Sequence, residues 1–199
     1  MRRIIVFTVI ALSLVAGNAM AESINGRLGV TGKAGFIVPL KDLTVNGAEI
    51  GEHETGFAVG GGLIYGLGNN FAVEADITHT PSTDVKIAGA KVGEQQLTFF
   101  SLGLQYRIMP SHHLVPYIGA GVDFIKGDIE NSTLDWTYGG HVNGGVDYFL
   151  NKSIVLTAEF KYIAGAKGDI LLNGVTMGKY DPMSFIGTFG FRLFLPEHL

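Results

Sequence analysis

The chain contains no cysteine, which excludes a disulfide framework and any thiolate metal centre. Positive charge is also scarce, with 14 Lys and Arg against 18 Asp and Glu and a formal net charge of −4. That balance argues against a nucleic-acid partner. Beyond Ala21, long apolar runs are missing. The longest charge-free stretch, Thr55 to Val73, is interrupted by Gly60-Gly61-Gly62 and by Gly68-Asn69-Asn70, so it does not read as a spanning helix. The triple glycine sits inside an alternating segment and opens no helix, which removes a phosphate-binding loop from consideration. No cofactor is implied.

What the chain does contain is a leader and then alternation. Arg2 and Arg3 precede the uncharged IIVFTVIALSLVAG and the Ala19-Met20-Ala21 cleavage pattern. This reads as a secretory signal peptide over residues 1–21, with the exported chain running from 22 to 199 as one domain. Hydrophobic residues make up 47% of the sequence and there are 29 glycines. The apolar residues are spread at every second position, which is the pattern of strands with one apolar and one polar face.

The stretch from Trp136 to Tyr162 shows it best. Trp136, Tyr138, Val142, Val146, Tyr148 and Leu150 share one face, and Thr137, His141, Asn143 and Asp147 share the other. After Asn151-Lys152 the alternation resumes, with Ile154, Leu156, Phe160 and Tyr162 against Thr157, Glu159 and Lys161. The same reading places strands over 25–38, 57–65, 71–78, 98–107, 116–124, 136–150, 154–162 and 183–194. Connections alternate between long and short. Polar stretches over 39–54, 80–94, 126–135 and 164–181 follow the odd-numbered strands, and short turns follow the second, fourth and sixth.

The expected fold is therefore all-β: an eight-stranded antiparallel up-and-down transmembrane β-barrel with short periplasmic turns and long extracellular loops, in the outer membrane of a Gram-negative cell. A soluble barrel would turn its apolar faces inward and leave the glycine-rich charged faces to solvent. Tyr65, Phe71, Tyr106 and Tyr148 lie on the apolar faces beside the short turns, where an aromatic girdle belongs.

If the apolar faces meet lipid, the other faces bring Arg27, Lys33, Arg107, Lys161 and Arg192 into the lumen with Glu74, Asp76, Asp123, Asp147 and Glu159, and His141 beside them. Five cations against five anions in a lumen that side chains can fill are expected to form a polar network of ion pairs and hydrogen bonds.

The segments Val115-Pro116-Tyr117-Ile118-Gly119-Ala120-Gly121-Val122 and Gly144-Gly145-Val146-Asp147-Tyr148-Phe149-Leu150-Asn151, followed by Ala158-Glu159-Phe160-Lys161-Tyr162, resemble OmpW-like barrels and, more widely, the small OmpA- and OmpX-like barrels. The motif likeness is confined to about residues 115–162. It implies passage of small hydrophobic solutes with lateral exit into the membrane, and as partners the lipid bilayer with lipopolysaccharide and the barrel-assembly machinery. This chain departs from the resemblance in its charged lumen and in a last strand that ends FRLF followed by LPEHL.

The functional expectation is a non-enzymatic outer-membrane protein serving envelope integrity or small-solute passage. Two alternatives are a loop-borne adhesin or receptor and a lipid A-modifying enzyme. For the enzyme the candidates are His79 near Ser82, and His141; but the position two after His141 is Asn143, where a His-x-Ser pattern needs serine. His112-His113 sits in a short turn and offers adjacent rather than face-matched ligands.

Overall fold

The computed structural model describes residues 23–41, 44–45, 48–49, 52–53, 55–87, 90–129, 132–172 and 175–196. Residues 1–21, where the sequence leads one to expect a signal peptide, lie outside them, as do Asn46-Gly47 and Glu54. Eight strands form the wall: β1 Leu28–Pro39, β2 Gly56–Gly68, β3 Phe71–Ile87, β4 Ala90–Arg107, β5 Leu114–Ile129, β6 Ser132–Phe149, β7 Ile154–Gly165 and β8 Ser184–Phe194. Each pairs antiparallel with its sequence neighbours, and β8 pairs with β1 from Gly29↔Phe194 to Pro39↔Ser184, which closes the sheet into a barrel. Closure leaves no edge with unpaired backbone, the condition for crossing lipid as a sheet.

The apolar faces point outward. Ile118, Val142, Phe160 and Phe189 are among the large hydrophobic side chains that lie more than half exposed, a distribution that only a lipid solvent stabilises. Inside, every strand contributes its alternate residues.

Two of the four long connections are strand rather than loop. The β3–β4 ladder continues past the expected end at Thr78 as far as Ile87↔Ala90, and β5–β6 continues to Ile129↔Ser132. The reason is physical. Beyond the membrane both faces of a strand are wet, so the period-2 hydrophobic signal disappears while backbone pairing carries on. At Pro81, which has no N–H to donate, the β3–β4 register jumps from Thr80↔Leu97 to Thr83↔Gln95, a bulge at the position where the ladder loses a donor. Short strands also occupy the other long connections: Thr44–Val45, Ala48–Glu49 and Glu52–His53 after β1, and Gly168–Leu172 and Val175–Tyr180 after β7.

The three connections at the opposite end are short. Between β2 and β3, Gly68, Asn69 and Asn70 have φ of 93°, 49° and 70°, the left-handed region that glycine and asparagine enter at least cost. Between β6 and β7, the Asn151 side-chain oxygen accepts from the backbone N–H groups of Ser153 and Ile154 at 2.9 and 2.8 Å, pinning the reversal.

The inward faces are not uniformly polar. Two apolar layers bracket a charged middle. At the turn end Ile24, Ile64, Ala72, Val115, Phe149, Val155 and Phe194 form one buried cluster. At the loop end Ile37, Ala58, Leu97, Phe99, Ile125, Ile163, Tyr180 and Ile186 form the other. Read along β5, the inward side chains run from Val115 through Tyr117, Gly119, Gly121 and Asp123 to Ile125, so a single strand crosses both layers and the zone between them.

Candidate functional site: the charged belt of the lumen

Between the apolar layers the inward positions of β1 and β3 to β8 carry ionisable groups, and glycines on the neighbouring positions give them room. A Cβ at Gly145 would lie 2.4 Å from the Ala158 carbonyl oxygen and 2.5 Å from the Tyr117 hydroxyl, so only glycine lets the Tyr117 ring cross the lumen there. At Gly121 a Cβ would come within 2.6 Å of the His141 ring.

The contacts reach across the barrel. Lys33 on β1 meets Asp76 on β3 at 3.1 Å and Glu159 on β7 at 3.3 Å. Lys161 on β7 meets the other oxygen of Asp76 at 3.0 Å and donates to Ser101 at 3.2 Å. In an eight-stranded ring β3 and β7 stand opposite, so the Lys161–Asp76 pair spans the lumen. Nearer the turn end, Arg192 bridges Glu74 at 3.1 Å and Asp147 at 3.0 Å, and Arg107 meets the same Asp147 oxygen at 2.8 Å. Gln105 donates to the second oxygen of Glu74. All these charged side chains are buried.

Tyr117 joins the two halves. Its ring lies under the guanidinium groups of Arg192 and Arg107, at 5.3 and 6.0 Å from centroid to Cζ, a cation–π geometry. Its hydroxyl donates to Glu159 at 3.2 Å, which also accepts from Asn143 at 2.8 Å. Asn143 joins the inward residues of the Trp136–Tyr162 hairpin as its parity predicts, whereas Tyr117, Gln105 and Ser101 are members that the sequence reading did not single out. Their inward parity is legible in the alternation, but uncharged side chains carry no sequence mark that they join ion pairs.

Asp123 and His141 form a separate arm. His141 Nδ1 lies 2.9 Å from a carboxylate oxygen of Asp123, and Ser101 donates to the other at 2.6 Å. A carboxylate only accepts, so Nδ1 carries the hydrogen. Arg27 is placed elsewhere. It sits at the turn-end rim, donates to the carbonyl oxygens of Leu195 and Lys152 at 3.1 and 2.7 Å, and stacks 5.6 Å from the Phe194 ring. Among the described residues it pairs with no carboxylate. The belt therefore holds four basic side chains, Lys33, Arg107, Lys161 and Arg192, against five carboxyl groups, with His141 beside the fifth.

Of the girdle residues, Tyr65, Phe71 and Tyr106 are exposed on the outer wall, and Phe71 and Tyr106 meet edge to face at 5.3 Å. Tyr148 is half-buried, 6.4 Å from the His113 ring. Of the histidines weighed for chemistry, His113 bonds the Phe149 carbonyl oxygen at 3.0 Å, and His79 faces outward beside Thr98. Ser82 has no described side chain. No metal-binding group of three His, Asp or Glu occurs among the described residues.

The chain is similar in fold to several small outer-membrane barrels of solved structure. The outer membrane protein OprG from Pseudomonas aeruginosa superposes with a TM-score of 0.69 at 18% identity, covering 89% of this chain and 99% of that one. Neisserial surface protein A gives 0.59 at 18%, with 85% and 97% covered. AlkL, solved in lipid bilayers, gives 0.58 at 19%, with 90% and 95% covered. No curated protein matches the sequence. The family model described as "Outer membrane protein beta-barrel domain" matches residues 7–192, in agreement with the closed eight-stranded wall and apolar exterior of this structure: the chain belongs to the outer-membrane β-barrel family.

Proposed function

We propose that this protein is a non-enzymatic outer-membrane barrel whose lumen is a sealed core, and that its work is to maintain the integrity of the envelope. One observation carries the reading: the belt of ion pairs that crosses the lumen between two apolar layers. An ion or polar solute entering from either end would first meet a dry layer and then a set of charges already paired with one another. Opening such pairs without replacing them costs several kcal/mol each.

Planar bilayers test this directly. The refolded protein should give no regular conductance steps, and Lys33→Ala combined with Lys161→Ala should introduce them. Steady ion-conducting steps from the unaltered protein would overturn the proposal. In cells, deletion should raise sensitivity to detergents and bile salts, with restoration by the intact gene.

Passage of small hydrophobic solutes is a second reading, supported by the OmpW-like segments and by the loop-end apolar layer around Phe99 and Ile163. On this geometry a solute held there has the charged belt below it and would leave through the wall. Vesicle uptake of an apolar dye that survives belt substitutions would favour it. Against a serine–histidine enzyme, the Ser101 hydroxyl donates to Asp123 rather than to His141, so the histidine of the belt does not hold the proton of this serine.

A further inference from the structure

The outer wall of β3 to β6 is apolar from the short turns upward and then changes character at one level. His79 on β3 is paired in register with Thr98 on β4, and Thr98 with Lys126 on β5. Each lies eight positions beyond an outward residue near the short turns, Phe71, Tyr106 and Ile118 respectively. That is about the ~9–11 residues of a membrane crossing, so the row stands at the outer boundary of the hydrocarbon.

The row is built rather than scattered. His79 Nδ1 and the Thr98 hydroxyl are 3.0 Å apart. The Lys126 ammonium lies 5.9 Å from the centre of the Trp136 ring on β6, and that ring packs against Phe100 at 5.8 Å. Just below, Phe124 and Tyr138 meet edge to face at 5.9 Å. The β5–β6 register shifts between Ile125 and Gly127, which leaves Lys126 at a bulge, outside the β6 ladder. An ammonium, an imidazole and a hydroxyl thus form a polar row directly above an aromatic, lipid-facing platform.

We propose that this row binds the phosphate of an outer-leaflet glycolipid, with Lys126 as the ion contact, His79 and Thr98 as hydrogen-bonding groups, and the acyl chains lying on the Phe100, Phe124 and Tyr138 platform. The occupant follows from continuity with the lipid wall below and from the positive charge that Lys126 places at the boundary. An anionic oxygen there gains a charge-assisted hydrogen bond in a medium drier than bulk water. The site is on the exterior and does not depend on whether the lumen conducts.

The chain has a single tryptophan, Trp136, so its fluorescence reports this site alone. The full-length protein in phosphatidylcholine nanodiscs should show a saturable emission change on titration with bisphosphorylated lipid A and little with the same lipid after dephosphorylation. Lys126→Ala should weaken the apparent affinity about tenfold, the scale of one ion contact, and Lys126→Arg should restore it; Thr98→Val should weaken it by a smaller factor. Equal responses to phosphorylated and dephosphorylated lipid would overturn the proposal using the unaltered protein alone. So would a Lys126→Ala variant, shown folded by heat-modifiable gel mobility, that binds like the parent, or an equal response to inorganic phosphate without lipid.

Discussion

Arg192 is the residue at which the belt can be tested most sharply. Its guanidinium is almost wholly buried and makes two ion contacts, 3.0 Å to Asp147 and 3.1 Å to Glu74, besides stacking on Tyr117. Arg192→Met keeps most of the apolar stem and removes the charge. Asp147 then retains Arg107, but Glu74 keeps only the neutral Gln105 as its hydrogen-bond donor among the described residues. Removing one partner from a buried pair costs about 3–5 kcal/mol, because the other charge stays buried without compensation. With a urea slope of ~1–3 kcal/mol/M, the unfolding midpoint should fall by about 1–5 M.

The assay is equilibrium unfolding in lipid vesicles, with the folded fraction read from gel mobility of unheated samples. Adding Glu74→Gln to Arg192→Met removes the stranded charge, so the double variant should recover more than half of the loss, a coupling that the double-mutant cycle for this contacting pair measures. A single variant within ~1 kcal/mol of the parent, below the range for a stranded buried charge, would refute the reasoning. So would a double variant no more stable than the single one.

Further expectations concern the layers around the belt. Gly145→Ala forces a methyl against the Ala158 carbonyl oxygen and the Tyr117 ring and should destabilise the barrel by about 1–3 kcal/mol, measured by the same unfolding. Phe194→Ala opens the turn-end layer, where Phe194 stacks on Phe149 at 6.2 Å and supports Arg27; a loss of about 3–5 kcal/mol is expected, and a loss under ~1 kcal/mol, well short of that range, would show that this layer is not a packed core. In hydrogen exchange, the paired amides of 83–87 and 90–95 should be protected relative to the turn at Asn151–Ser153. Equally fast exchange in both would contradict the extended ladder.

The parts of the fold that were legible in the sequence are those where lipid enforces a period. Phe71, Val73, Ala75 and Ile77 could be assigned outward because hydrocarbon tolerates nothing polar on that face. The strand ends beyond Thr78 and before Thr98 could not, since water on both faces imposes no alternation. The belt was half legible. Lys33, Asp76, Glu159 and Lys161 were identified as inward and charged, but Arg27, of the same parity, turns to backbone carbonyls at the rim. Tyr117, which joins the two arginines to Glu159, is inward by parity but carries no charge to mark it as part of the belt.

The sequence by itself determined the class of solvent, the number of wall strands and the direction each side chain points, because alternation depends only on the two-residue repeat of a strand and on what each face must touch. The tertiary structure decided which inward groups meet. Pairing across the lumen joins residues such as Asp76 and Lys161 that are remote in the chain, and their distance is set by how the closed sheet staggers its strands. That stagger also stacked the inward side chains into an apolar layer, a charged belt and a second apolar layer. No single strand announces the layers, since each contributes only one or two residues to any level.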